Sequence, residues 1–479
     1  MENIRNKIPR ILLAGTHSGV GKTTITCALL RALQKRGRRP AAFKCGPDYI
    51  DPMFHREVLG VDSGNLDSFF QSKVQLQNSL LRHTADADIA VIEGVMGYYD
   101  GIGLTADAST AQIAEWTETP AILIVDCKGR SQSVLAEVYG FVNYRPEGKQ
   151  IKAVLLNRLP ERLYEGMAEQ IRAMGLTPVG YLPEQKEFTL QSRHLGLVTP
   201  KEIEGFQEQT DRLAEALAKT VDLGEIERIA GKAQDISSAK EPAISKDSQS
   251  FSETAFVTAD PKDADNGVRI AIAHDAAFCF YYRENLEILE ALGAQIVPFC
   301  PLTDAKLPDC DALILPGGYP ELYAGALEKN ESMRYDIRGK IRGGLPTIAE
   351  CGGFLYLHDT LTDPDGKTYA GAGVIPANCA YKGFQRQFGY IMLTAEKDQL
   401  LAKAGDELKG HEFHYFVSEL DSDAFCAEKP DRSRSWKAAI GTDTLYAGFP
   451  HISFAASPKA AERFVMAAEE YRKRQQTIS

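Results

Sequence analysis

A chain of 479 residues is too long for a single hydrophobic core, so two or more domains are expected. With 44% hydrophobic and 25% charged residues it has the composition of an ordinary globular protein, and a net charge of −11 argues against a nucleic-acid-coating role. No apolar run reaches the length of a membrane span, residues 1–10 are polar and basic without an apolar signal segment, and the nine cysteines show no CxxC pair or metal spacing. The expectation is a cytoplasmic protein with reduced cysteines and neither a nucleic acid nor a membrane as partner.

The chain opens on a phosphate-loop pattern. Ile11 to Thr24 reads ILLAGTHSGVGKTT: an apolar strand, a glycine-rich turn, then Lys22-Thr23-Thr24 opening a helix. Gly15, Gly19 and Gly21 let backbone N–H groups converge on phosphate oxygens, Lys22 reaches the outer phosphates and Thr23 holds a magnesium ion. The common spacing puts its first glycine where Thr16 stands, so a loop starting at Gly15 is one residue longer. Ile25, Leu29 and Leu33 mark one face of the following helix, which ends at Gly37. A strand over 40–44 then runs into KCGPDYIDP, where Asp48 and Asp51 lie past a strand end, the place where open parallel sheets bind ligands.

A third strand, Ile89–Ile92, delivers Glu93, the acidic residue that completes a magnesium shell in phosphate-loop enzymes, with Asp100 a short glycine-flanked loop away. Strands at Ala121–Val125 and Ala153–Leu156 end in Asp126-Cys127-Lys128-Gly129-Arg130 and Asn157-Arg158, and Arg193 and His194 follow a short apolar run at 179–182. Cations at several loops of one sheet edge point to an anionic ligand. Alternation of strand and helix predicts a doubly wound, mostly parallel α/β sheet over residues 1–225. Residues 226–267, rich in Ser, Lys, Asp, Ala and Glu without periodicity, read as a linker.

A second α/β domain is expected over 268–479. It starts with the strand Val268–Ala273, and Tyr282, Leu286, Leu289 and Leu292 form a helical stripe closed by Gly293. Strands Ala294–Pro298 and Asp311–Leu315 follow, the latter ending in PGGYPE, where Gly317 and Gly318 can present backbone N–H groups. Leu345–Ala349 then leads to Glu350-Cys351-Gly352-Gly353 and an apolar helix, the arrangement of a nucleophile elbow in which the helix N-terminus stabilises a thiolate. His451, in GFPHIS, is the expected general base. His411 and His414 of GHEFHY lack the HExxH zinc spacing and are read as site wall, and Ser453 is a weak orienter for His451.

A phosphate-loop domain joined to a cysteine-hydrolase domain has a chemical logic. Cysteine releases ammonia from a side-chain amide, ATP phosphorylates a carboxylate, and ammonia displaces the phosphate. Through GTHSGVGKTT, KCGPDYIDP, EGVMGYYDG, SRHLGL, LPGGYPE, AECGGFLYL and GHEFHY, in that order, nearly the whole chain resembles the cobyrinic acid a,c-diamide synthases, glutamine-dependent enzymes of corrinoid biosynthesis. The longer loop is shared with dethiobiotin synthetase, a relative that also activates a carboxyl group with ATP.

The resemblance implies a dethiobiotin synthetase-like ATP domain followed by a triad (class I) glutamine amidotransferase domain. It further implies amidation of the a- and c-acetates of cobyrinate with two glutamines and two ATP, c before a. Lys22, Thr23 and Thr24 then serve the phosphates, and Thr23, Asp48 and Glu93 the magnesium, with Asp51 and Asp100 beside the reacting carboxylate. Asn157 reads adenine. Cys351 forms the thioester, Gly318 and Gly352 donate to the oxyanion, and His451 is the base, with Ser453 standing where the triad glutamate is usual. Cobyric acid synthase and enzymes acting on hydrogenobyrinate or nickel sirohydrochlorin are the near alternatives. A partition-type ATPase switch with an inactive amidotransferase domain is the distant one. A homodimer is left open.

Overall fold

The first apolar run forms β1 (Arg10–Gly15), and all six of its residues are buried. A strand covered on both faces reads as a continuous apolar stretch, which is why it was legible. In the computed structural model, which describes residues 8–184, 192–193, 196–197, 205–236, 267–384 and 387–478, the chain divides into units Met1–Glu241 and Pro242–Ser479. Among the described residues no helix is long and apolar enough to cross a membrane.

In the first unit β1 is joined by β2 (Pro40–Cys45), β3 (Ser63–Leu66), β4 (Ile89–Glu93), β5 (Ala121–Asp126), β6 (Ile151–Asn157) and β7 (Thr177–Leu182). The order is β3-β2-β4-β1-β5-β6-β7 and every pairing is parallel. Alternate residues of β1 serve opposite faces. Ile11 and Leu13 join one core with Ile25 and Leu29 of α1 (Lys22–Lys35), and Leu12 and Ala14 join the other with Ile113 of the helix Thr110–Trp116. Burying each such leucine contributes about 1.5–3 kcal/mol. The strand order reverses at β1, so the crevice at its carboxyl end is the ligand position of an open α/β sheet.

The expected linker over 226–267 starts too early. Phe206–Thr220 and Leu223–Ala230 are helices whose Phe206, Leu217, Ile226 and Ile229 complete the core on the α1 face. Asp222 caps the second of them, accepting the Glu225 N–H at 2.9 Å. Buried Ile236 packs in the opposite core. Within the expected linker, Ile226 and Ile229 lie on the buried face of the second helix, and Glu225 and Arg228 lie on its outer face. Residues 237–266 lie outside the described residues.

In the second unit β8 (Arg269–Ala273), β9 (Gln295–Phe299), β10 (Ala312–Leu315), β11 (Thr347–Glu350) and β12 (Leu445–Gly448) form a parallel sheet in the order β9-β8-β10-β11-β12, with Ile440–Gly441 antiparallel at its edge. The predicted stripe is the helix Arg283–Ala291, ended by Gly293 at φ 88°. A separate antiparallel sheet pairs Phe388–Ala395 with Glu407–Phe413, and the latter with His451–Ile452. Its register sets His411 directly opposite His451.

Candidate active site

In the first unit, Gly19 (φ 80°) and Gly21 (φ 102°) place the loop after β1 in backbone conformations that L side chains rarely adopt. A Cβ on Gly15 would lie 2.6 Å from Val20 Cγ1 and 2.9 Å from Lys22 Nζ, so the lysine folds back over this glycine. Among the described residues no side chain caps the start of α1, where the first N–H groups of a helix can bind an anion. Lys22 Nζ donates to the carbonyls of His17 (3.2 Å) and Met96. Burial, and then repulsion from Lys44, lowers its pKa to about 8. Thr24 follows in the first turn of the helix.

Thr23 Oγ1 donates to Glu93 Oε1 at 2.6 Å and lies 3.4 Å from Asp51 Oδ2. Sequence reasoning missed the residue at the centre of this cluster. Lys44, the last-but-one residue of β2, donates to Glu93 Oε1 at 2.7 Å and to Asp51, and its ammonium is 3.9 Å from Asp48 Oδ2. His55, also unanticipated, has Nε2 3.8 Å from Glu93 Oε2 and Nδ1 3.1 Å from Ser63 Oγ. Desolvation lowers its pKa to about 4, so the imidazole is neutral. Their signal was position alone: each is a polar residue on an element whose neighbours are buried.

Desolvation, reinforced by Asp51, raises the Glu93 carboxyl to about 7 and that of Asp48 to about 6. Burial would raise Asp51 too, but Lys44 outweighs it and holds that carboxyl below its ordinary value. Asp48 Oδ1 accepts the N–H groups of Ile50 (2.9 Å) and Asp51 (3.2 Å), the first two residues of the helix Ile50–Leu59. Asp100 Oδ2 accepts the Gly97 N–H at 2.8 Å and thereby shapes the loop after β4. Asn157, expected at the adenine, lies beside the phosphate loop. Its amide donates to Val20 O in the phosphate loop at 2.8 Å, and its Oδ1 accepts the neighbouring Arg158 N–H at 3.0 Å. His194 lies outside the described residues, and Arg193 is described only as a strand residue.

The donor set fits a magnesium ion. Glu93 Oε2 is buried without a hydrogen bond among the described residues, beside a hydroxyl and two further carboxylates. No cage of three or more His, Cys, Asp or Glu side chains is found among the described residues.

In the second unit β11 ends at Glu350 and the helix Gly352–Leu357 begins at once, with Cys351 at φ 45° and ψ −100° between them. Its N–H donates to Gly448 O at 2.8 Å, and its thiol is 3.9 Å from Phe413 O. Small residues permit the turn: a Cβ on Gly352 would meet Gly318 N at 2.9 Å, and one on Gly353 would overlap Leu315 O. A Cβ on Gly317 would meet His451 Cε1 at 2.5 Å and Nε2 at 3.2 Å. The elbow, the glycine pair and the imidazole are therefore one site.

The ring of His411 stacks on His451, centroids 4.9 Å apart and 14° from parallel, and its Nδ1 shares a 2.9 Å hydrogen bond with Tyr282 OH. Burial, then His451, pushes His411 well below its ordinary pKa, so it is neutral wall. His414 stacks on Phe449 at 3.7 Å and donates to Phe416 O at 2.7 Å. The expected thiolate needs correction. The Gly352 N–H does favour it, but burial and the carboxylates of Glu321, Glu350 and Glu412 prevail and hold the resting group as thiol. The proton must then leave during attack, which makes the base essential.

Two family descriptions match the chain. CobQ/CobB/MinD/ParA nucleotide binding domain covers residues 11–198, and CobB/CobQ-like glutamine amidotransferase domain covers residues 269–458. A cobyrinate a,c-diamide synthase of Listeria innocua is 37% identical over 94% of this chain and 97% of its own length. That of Salmonella typhimurium is 37% identical over 95% and 97%, and that of Thermoplasma volcanium 35% identical over 98% and 99%. Among solved structures, the signal recognition particle receptor FtsY of Elizabethkingia anophelis with GDP aligns over 44% of this chain and 64% of its own at 15% identity. Its TM-score of 0.29 is too low to bear on the fold. With both domains matched and relatives aligned end to end, the chain belongs to the cobyrinate a,c-diamide synthase family.

Proposed function

We propose that the chain converts the a- and c-acetate carboxylates of cobyrinate to carboxamides, driven by ATP and drawing nitrogen from glutamine. The observation that carries this reading is Cys351 at φ 45° on a strand-to-helix turn, packed with a glycine pair and His451, in a chain that also holds an uncapped phosphate loop.

In the second unit His451 takes the Cys351 proton as sulfur attacks the side-chain carbonyl of glutamine. The Gly318 and Gly352 N–H groups receive the developing oxyanion. The imidazolium returns its proton to the leaving nitrogen, ammonia departs, and water resolves the thioester to glutamate. In the first unit the Gly19–Thr24 backbone and Lys22 bind the phosphates of ATP. Thr23, Glu93 and Asp48 would hold magnesium, which neutralises charge between the outer phosphates when bound. Lys44, paired with Asp51 and Glu93, holds those carboxylates in place, and Asp100 keeps the adjoining loop in shape. The carboxylate oxygen attacks the γ-phosphorus, ADP leaves, and ammonia displaces phosphate from the acyl phosphate. Dependence on ATP and glutamine goes with a cytoplasmic setting.

Two variants test the division of labour. Cys351→Ala should form diamide from ammonium salts and none from glutamine. Glu93→Gln should lose ATP-dependent amidation from either nitrogen source and keep glutamine hydrolysis. Glutamine-driven synthesis by the alanine variant would remove Cys351 from the reading.

A further inference from the structure

Triad amidotransferases hold the basic histidine with a carboxylate two residues beyond it, and here that residue is Ser453. The serine does not face the imidazole. Its hydroxyl accepts the Ala456 N–H at 3.3 Å and its own N–H donates to Lys409 O at 3.1 Å, so it shapes the turn into the C-terminal helix.

A different carboxylate occupies the far side of the ring. Glu350, the last residue of β11, directs Oε2 to within 3.4 Å of His451 Nδ1. Its Oε1 accepts the N–H of Ile452, the residue after the histidine, at 2.9 Å. The residue is 8% exposed and His451 is 2% exposed, so the pair meets away from bulk water. The opposite face of the imidazole is covered by His411, which Tyr282 fixes by a 2.9 Å hydrogen bond. With Glu350 facing its Nδ1 edge and His411 stacked on one face, the imidazole carries its second ring nitrogen on the opposite edge. That nitrogen, Nε2, lies against Gly317 of the glycine pair.

Resting on the glutaminase reading above, we propose that Glu350, the residue immediately before the nucleophile, positions His451 and takes the part of the absent triad carboxylate. It fixes the tautomer with the proton on Nδ1 and faces the imidazolium that forms when Cys351 gives up its proton. One side chain thus ties the strand that delivers the nucleophile to the strand that delivers the base. A distance of 3.4 Å is longer than a tight hydrogen bond, as is common before a substrate arrives, and shortens once the ring is charged.

Glu350→Gln is the informative change. The amide oxygen can still accept from Ile452, which preserves the backbone link, while the NH2 group facing His451 imposes the opposite tautomer. Glutaminase kcat should fall by about 10²–10⁴-fold, the range that a correctly held general base contributes, with about 10⁴ the loss in a triad whose carboxylate becomes an amide. KM for glutamine should stay within about threefold, and ammonia-driven diamide synthesis should match the parent. A kcat within about threefold of the parent overturns the assignment. If the glutamine variant does not fold, Glu350→Asp, which withdraws the carboxylate by a methylene, replaces it. A kcat lowered at least about tenfold at unchanged KM supports the role, and a parental kcat overturns it. Failure of the functional reading would look different: the parent itself would form no amide from either nitrogen source.

Discussion

Glu321 is a residue whose environment makes a claim that can be measured without any substrate. It sits in the PGGYPE turn after β10, close enough to Cys351 to raise the thiol, and burial lifts its own carboxyl to about 7. The unfolded chain releases this proton near an ordinary glutamate value of about 4.3, whereas the folded unit keeps it to about 7. The neutral form's contribution is therefore full below the unfolded value and is lost as pH rises through the folded one. Glu321→Gln should be flat over that window. Relative to the parent it should gain up to about 3 kcal/mol between pH 4 and pH 8, read by denaturant unfolding of the two proteins side by side. A difference between them that does not change with pH would show that Glu321 ionises normally. At the other site the corresponding balance is struck by Lys44. Burial alone would drive its pKa down, but Asp51 and Glu93 outweigh it and keep the ammonium charged.

At the scale of elements, the loop between β1 and α1 is set by glycine sterics and by a strand five positions across the chain order. A Cβ on Gly21 would approach Asn157 Nδ2 at 2.7 Å, and the residue's φ of 102° is itself unfavourable for alanine. Gly21→Ala should therefore move the loop off Asn157 and weaken ATP binding at least about tenfold, with glutaminase untouched. The energy involved, about 1–3 kcal/mol for a strained backbone position, is of that size. Isothermal titration with a non-hydrolysable ATP analogue checks it, and parental affinity would contradict it.

The same elements explain what the sequence could and could not reveal. β1, β4, β5 and β6 were legible because parallel strands buried on both faces are written as apolar runs. β3, Ser-Gly-Asn-Leu, is equally buried but has no such run, since Asn65 Nδ2 bonds the carbonyls of Gly46 and Asp48. The helix Ile50–Leu59 was hidden because KCGPDYIDP reads as a turn, while Asp48 accepts the first N–H of a helix that already contains Asp51. Cys351 was legible from its glycine neighbours and Lys22 from the loop pattern. Lys44, His55 and Glu350 were not, because the contacts of Lys44 and His55 with Glu93 and of Glu350 with Ile452 join residues on separate elements, and no local spacing encodes that. The bond of Asn157 to Val20 depends on how β6 lies beside the loop, which only the fold determines.

At the scale of the whole molecule, two α/β units of similar size each bring one half of an amidation: a buried thiol with its base, and a phosphate loop with its carboxylates. Neither half makes an amide by itself, because the glutaminase releases free ammonia and the synthetase needs a nitrogen nucleophile. On this reading the nitrogen freed at Cys351 becomes the amide nitrogen of the product. Glutamine carrying isotopic nitrogen in its side-chain amide, supplied with ATP, magnesium and cobyrinate, tests it in one mass spectrum. The account predicts a diamide with both new nitrogens labelled by the parent, and by Cys351→Ala an unlabelled diamide that forms only when ammonium is added. A labelled diamide from the alanine variant, or an unlabelled one from the parent in the absence of ammonium, would contradict it.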